Sequence, residues 1–201
     1  MKGQKKTKTT QAVQQEQPKP AVQPKQTKQA QQPSLDAVRS YVLNPRINSE
    51  LLVGNELTSE QQAIVAGMDA AMQVLPDTEL NRVTINDTLQ AYMQQAGVSE
   101  VRELEGKELV NSCFMSASKL SLHDKLAKRY ALGLEKPVCI VVHTQGKAKG
   151  VDVNELLKEQ SVYPHQQEVV LARNQRFLVK KVRFGSGWLN ETYPILHLYA
   201  I

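Results

Sequence analysis

The chain changes its apolar periodicity part-way along, and the order of that change limits the folds open to it. Between residues 59 and 75, Ile64, Val65, Met68, Met72 and Leu75 recur at helical spacing. Thr58 or Ser59 can cap this helix with a glutamine three residues on, and Pro76 closes it. A short strand is expected over 82–85. Asp87 then opens a helix carrying Leu89, Tyr92 and Met93, which Gly97 ends. Beyond this the pattern is mostly extended. Residues 111–116 read as a buried strand, and a helix capped by Ser121, with Leu122, Leu126 and Tyr130 on one side, ends near Gly133. The run 137–143 is continuously apolar and rich in β-branched residues, as a central strand is. Three further strands are expected over 168–172, 175–184 and 193–200. Helices first and strands later predict an α+β fold, not alternating βαβ units. No internal repeat is visible.

The folded part is expected to begin near Leu35, because the preceding segment has the wrong composition for a core. Residues 1–33 hold ten glutamines, four prolines and almost no large apolar side chains. Such a segment cannot bury enough surface to offset its ordering entropy, so 1–33 reads as a disordered Lys/Gln/Pro-rich tail and 34–201 as one domain. The net charge of +5 also sits there: the tail carries seven lysines against Glu16, while the rest has 18 basic and 19 acidic side chains. The basic pI near 9.1 is thus a property of the tail. A solvated tail or linker is the simplest reading; a delivery signal or an electrostatic tether to an acidic partner is the sharper one.

Several functional classes are excluded. No apolar run approaches the roughly 18–20 residues that span a bilayer, and no apolar segment follows the N-terminal lysines as a secretory signal requires. The expected location is the cytoplasm of the producing or infected cell, or outside it by a non-classical route. Cys113 and Cys139 lie in apolar stretches and read as buried thiols, too few for a disulfide framework or a cysteine zinc site. His123, His143, His165 and His197 lack metal-ligand spacing, so no metal is expected. The phosphate-loop, dinucleotide-fold, zincin and serine-hydrolase motifs are all missing. The tail has no interleaved aromatics for base stacking. Arg173, Arg176, Lys180, Lys181 and Arg183 read as a solvated strand face, with a phosphate-contacting patch as the second choice.

Three segments carry a more specific signal. They are Leu80-Asn81-Arg82-Val83-Thr84; Phe114-Met115-Ser116-Ala117-Ser118, preceded by Leu104-Glu105-Gly106-Lys107-Glu108; and Tyr163-Pro164-His165-Gln166-Gln167-Glu168 with the apolar strand that follows. In this order and spacing they resemble the arginine–serine–glutamate class of mono-ADP-ribosyltransferases, which includes clostridial Rho-modifying exoenzymes, actin-modifying binary toxins and phage-encoded transferases. The resemblance spans about residues 40–200. Ile47-Asn48-Ser49-Glu50-Leu51-Leu52 also looks like the family's N-terminal "IN..LR" segment.

The resemblance implies N-terminal helices packed on a two-sheet β core around an NAD cleft, with NAD as substrate. It assigns Glu168 to the ribose 2′-OH and to the positive charge that develops as the nicotinamide–ribose bond breaks. That transition state is oxocarbenium-like, as in glycoside hydrolysis, and a fixed carboxylate stabilises it. Ser116 would hydrogen-bond Glu168, and Ser118 would support the nicotinamide-ribose side. Arg82 would bind the pyrophosphate, which suits a planar, permanently charged guanidinium. Gln166 shares a face with Glu168 if the segment is extended. As glutamine it implies a protein acceptor other than arginine, with a nucleic-acid base as second choice. Tyr163 would contact the target or pack in the core. Asn81 and Val83 stand where the family carries an aromatic and a glycine, and Ala117 replaces a central threonine. These departures motivate the alternatives: a non-catalytic protein that keeps the fold, or a relative that hydrolyses NAD.

Overall fold

The structure, a computed structural model, describes residues 32–44, 46–131, 137–186 and 192–201. Residues 1–31 of the expected tail, and the helix end expected near Gly133, lie outside them.

Three helices come first: α1 (Gln32–Leu43), α2 (Arg46–Val53) and α3 (Ser59–Ala71). The capping box forms as the sequence suggests. Gln61 donates its backbone N–H to Thr58 Oγ1 at 3.2 Å, and Thr58 returns its own N–H to Gln61 Oε1 at 2.9 Å. Ile64, Val65 and Met68 are the buried face of α3. The helix stops at Ala71, before the expected Pro76. Met72 turns extended, and Gln73–Val74 forms strand β1 against Lys149 and Gly150. Leu75 then donates to the Ala148 carbonyl at 2.9 Å and packs in the sheet core. Strand pairing outside the segment satisfies these backbone groups, which local spacing cannot foresee.

The α+β architecture is the one expected. Strand β2 (Glu79–Thr84) leads into α4 (Asn86–Ala96), whose C-terminus Gly97 closes with φ 65°. The single strand expected over 111–116 is two: β3 (Glu108–Asn111) and β4 (Met115–Ser118). They pair with different partners far apart in the sheet, and residues 112–114 make the crossing. Helix α5 (Leu122–Ala131) precedes β5 (Val138–His143), which is buried over its first five residues. Strand β6 (Lys149–Asp152) and helix α6 (Val153–Leu157) are too short to show a periodicity, and the sequence reading missed both. Strands β7 (Glu168–Leu171), β8 (Gln175–Ser186) and β9 (Thr192–Ala200) complete the chain.

Hydrogen bonding links the strands in the order β1-β6-β7-β4-β2-β5-β9-β8-β3. Among the described residues, only β5 and β9 pair in parallel. The expected two sheets are present as two halves of this one sheet, joined between β4 and β2 by the single pair Asn81↔Ser118. Inward residues of both halves share one core, including Ala117, Val169 and Leu171 from one and Leu80, Ile140 and Leu196 from the other. The first three helices and α6 pack on the outer face of the β4–β7–β6 half, around Val38, Tyr41, Ile47, Met68 and Phe114. Helix α5 covers Cys139 and Tyr193 on the other half. Cys113 and Cys139 are not disulfide-bonded; Cys139 is buried and Cys113 half-buried. Two of the late basic residues are in ion pairs, Arg173 with Asp69 and Arg176 with Glu108.

Candidate active site

The site forms where the two halves of the sheet barely touch. Past the Asn81↔Ser118 pair, β2 and β4 have no further register partners. Arg82 bridges the gap instead, donating from Nη1 to the Ser116 carbonyl at 2.7 Å. Strand alternation sends the neighbours of Arg82 the other way. Val83 packs toward α5. Asn81 is buried and donates its amide to the Leu120 carbonyl at 3.2 Å; its Oδ1 has no hydrogen-bond partner among the described residues. In β4, Ala117 points into the core while Ser116 and Ser118 face outward. Through the Asn81↔Ser118 pair Asn81 shares a face with the serines, whereas Arg82 alternates onto the face of Ala117 and reaches the Ser116 backbone carbonyl from there.

Glu168 opens β7 directly opposite Ser118, and Ser116 stands opposite Val170. Ser118 is fully buried. Its hydroxyl donates to the Gln166 carbonyl at 2.5 Å and accepts from Leu120 N–H at 3.1 Å, so it holds the turn that leads into Glu168. That turn, Pro164–Gln166, is one 3₁₀ turn, followed by Gln167 at φ 46°. Gln166 is therefore not extended, and shared strand alternation does not place it beside Glu168. Tyr163 lies at the start of the turn and is 42% exposed, so it is not a core residue.

Two residues from the helices complete the constellation. Tyr41 of α1 is buried, with its phenol beside Ser116 and Glu168. Burial pushes its pKa up to about 12, against the effect of hydrogen bonds from Ser116 and Asn48, while the Glu168 charge raises it further. It stays a neutral phenol at physiological pH. Asn48 of α2 donates to the Tyr41 hydroxyl at 2.6 Å and accepts from the Phe114 backbone N–H at 3.1 Å, tying the helices to the entrance of β4. The sequence reading quoted Asn48 but gave it no role, and left Tyr41 out. No local spacing links the two, which lie in different helices; only the fold shows that they meet beside β4.

An open cavity of about 500 Å³ borders this constellation. Arg82, Asn48, Asp87, Tyr92 and Cys113 contribute to its walls. Ser116, Gln166 and Glu168 are not in those walls; Arg82 and Asn48 connect the cavity to them through the Ser116 carbonyl and Tyr41. Burial raises the Tyr92 pKa to about 12, with the Arg82 charge opposing, and pushes the Cys113 thiol up as well. Arg82 and Asp87 are the two charged side chains in these walls, and a polyanionic ligand in this cavity would meet Arg82 without competition from ionised Tyr92 or Cys113. Among the described residues, no cluster of three or more His, Cys, Asp or Glu side chains could hold a metal ion, and no helix is long and apolar enough to cross a membrane.

Comparison with known proteins agrees with the fold. The C3 exoenzyme of Clostridium limosum superposes with a TM-score of 0.63 at 16% identity, covering 84% of this chain and 85% of that one. C3stau2 of S. aureus, solved with NAD, gives 0.62 at 18% identity, covering 85% and 87%. Exoenzyme S of Pseudomonas aeruginosa, solved with carba-NAD and human 14-3-3 protein beta, gives 0.55 at 20% identity, covering 82% and 72%. No curated protein matches the chain by sequence. The model of the ADP-ribosyltransferase exoenzyme family matches residues 23–194, which is most of the chain. A match over that span, on the fold described above, shows that the chain belongs to the ADP-ribosyltransferase exoenzyme family.

Proposed function

We propose that this chain transfers ADP-ribose from NAD to a protein side chain other than arginine. The observation that carries the reading is the placement of Glu168, which opens β7 opposite Ser118, directly after the Gln166 turn and within electrostatic reach of the Tyr41 phenol. In the reaction the nicotinamide–ribose bond breaks and nicotinamide leaves with the bonding electrons. The ribose C1 becomes electron-poor and the acceptor attacks it, losing its proton. Glu168 holds the ribose 2′-OH and stabilises the positive charge. Arg82 takes the pyrophosphate, and its bond to the Ser116 carbonyl fixes its direction. Ser116 and Tyr41 position the carboxylate. Gln166 aligns the acceptor as a neutral amide that donates and accepts hydrogen bonds but takes no proton from a guanidinium. Tyr163, exposed at the start of the same turn, meets the acceptor protein.

Two features support catalysis over a silent scaffold. The side chains of Asn81, Val83 and Ala117 are taken up by the Leu120 carbonyl, the packing against α5 and the core, and Arg82, Ser116, Ser118 and Glu168 are all retained beside them, so these departures remove no group that the chemistry uses. The structures of C3stau2 and exoenzyme S contain NAD and carba-NAD respectively, in a fold this chain shares. The test incubates the protein and Glu168→Ala with NAD labelled in the adenylate part and with bacterial and eukaryotic lysates. Label in a protein with the wild type only, on residues other than arginine by mass spectrometry, is the expected result. Nicotinamide release without labelling assigns the chain to NAD hydrolysis, and label on nucleic acid moves the acceptor to a base. Neither label nor nicotinamide release removes the enzymatic reading.

A further inference from the structure

The turn that bears Gln166 is held at two separate places, and they divide its duties. Its second half is fixed to β4. Ser118 Oγ donates to the Gln166 carbonyl at 2.5 Å, and Lys119 N–H donates to the Gln167 carbonyl at 3.1 Å. Glu168 follows immediately, in the β4–β7 ladder. The first half is fixed to helix α6. Asn154 Nδ2 donates to the Pro164 carbonyl at 2.5 Å, and Asn154 Oδ1 accepts from Ser161 Oγ at 3.2 Å. Among the described residues, both side-chain hydrogen bonds reaching Ser161–Pro164 involve Asn154.

Asn154 has no other evident duty. It is half-buried, the second residue of a five-residue helix whose N-terminus is capped by Asp152, which accepts from Glu155 N–H at 3.0 Å. The space behind the turn is an open groove of about 430 Å³, lined by Lys119, Asp152, Asn154, Glu155 and Gln167. Core packing does not fill that groove; besides the Asn154 bonds, Tyr163 and Pro164 are held within the turn by backbone bonds, from Gln166 N–H to the Tyr163 carbonyl at 3.0 Å and from Gln167 N–H to the Pro164 carbonyl at 3.4 Å.

We infer that Asn154 is a positioning residue for the acceptor, acting through Pro164 and Tyr163 and not on the NAD chemistry. The inference rests on the transferase reading above. Its physical basis is the separate anchoring. Loss of the Asn154 bonds removes the tie between α6 and the half of the turn that carries Tyr163, leaving it on its two backbone bonds alone, while Ser118 still holds Gln166 and Glu168. Small displacements of a positioned group cost up to about 100-fold in rate, but only in the step that needs the group. Acceptor transfer and NAD cleavage should therefore part company.

The experiment compares wild type, N154A, N154D and S161A for two rates on the same samples: nicotinamide release without acceptor, and label transfer to the acceptor found with wild type. N154A is expected to release nicotinamide within about twofold of wild type and to transfer roughly 10- to 100-fold more slowly, mainly through a raised acceptor KM. N154D keeps the size and the acceptor for Ser161 but cannot donate to the Pro164 carbonyl, so it should match N154A. S161A keeps the Pro164 bond and should lose less. Thermal melts identify any variant that fails to fold; S161A and N154D then carry the comparison. Equal transfer-to-release ratios in all four proteins overturn the inference. So does a parallel fall of both rates in a folded N154A, or greater loss in S161A than in N154D. Wild-type protein that releases nicotinamide but labels no macromolecule overturns it while leaving NAD cleavage standing. Wild-type protein that does neither overturns the transferase reading, and this inference with it.

Discussion

Ser118 and Glu168 are direct partners across the antiparallel β4–β7 ladder, and the buried Ser118 hydroxyl is bonded to the carbonyl two residues before Glu168. The serine thereby sets the geometry of the carboxylate through the backbone that leads into it. Ser118→Ala removes a donor to the Gln166 carbonyl and an acceptor for Leu120 N–H. Leaving buried polar groups unpaired costs about 1–3 kcal/mol. In a chain of this size that corresponds to a fall in Tm of roughly 2–4 °C per kcal/mol. Scanning calorimetry and NAD cleavage rates should fall together; a variant with unchanged Tm and unchanged kcat would deny Ser118 this role.

Arg82 spans the seam between the halves of the sheet and lines the cavity. A lysine there keeps the charge but loses the fork that can serve the Ser116 carbonyl and a phosphate at once. Arg82→Lys is expected to raise the KM for NAD by about tenfold, equivalent to roughly 1.4 kcal/mol. Steady-state kinetics of nicotinamide release check it. Unchanged KM would mean that the pyrophosphate is held elsewhere.

Burial raises both Tyr41 and Tyr92 to about 12 from an ordinary value of 10.0. A raised folded pKa means that the unfolded chain loses these protons first. The stability they contribute is complete below pH 10 and is lost as pH rises from about 10 to about 12. Urea titrations across that range should show a steep loss of stability, made shallower by Tyr41→Phe. The same variant takes the acceptor from Asn48 Nδ2 and should lower kcat for NAD cleavage without shifting its pH optimum, because the phenol is neutral throughout the working range. An alkaline slope that Tyr41→Phe leaves untouched would contradict the burial argument.

His197 lies in β9, 3.2 Å from His143 between ring nitrogens. Burial lowers its pKa, with the His143, Arg183 and Lys181 charges acting the same way and Glu79 opposing. On the same face Lys180 lies over the ring of Tyr199, and His143 stacks on that ring. The folded state therefore resists protonation. The contribution is present above the unfolded value near 6.5 and is lost as pH falls from there toward the depressed folded value. Stability between about pH 7 and 5 should decline less in His197→Asn than in wild type. Parallel declines, followed by urea denaturation at each pH, would refute it.

Long elements were legible because their patterns repeat. The capping box at Thr58, the left-handed Gly97 and the apolar run of β5 lie where the sequence puts them. Helix α3 ends early and the strand expected over 111–116 splits, because in both places the backbone takes partners from distant segments. Site residues were legible only by resemblance to a family. Composition and spacing gave no reason to link Arg82, Ser116 and Glu168, which are far apart in the chain.

By itself the sequence determined the α+β order, the near-neutral charge of residues 34–201 and the set of side chains able to carry the chemistry. Tertiary structure alone decided which of them meet. It brought the Tyr41 phenol beside Ser116 and within electrostatic reach of Glu168, aimed Ser118 at the turn, set Asn81 opposite Ser118 with its amide on the Leu120 carbonyl and gave Asn154 hold of Pro164. The reason is physical. Local propensities extend over a turn or a strand, whereas the site depends on strand register and on a seam closed by one pair, Asn81 and Ser118, and both are settled only when distant segments bury their apolar faces together.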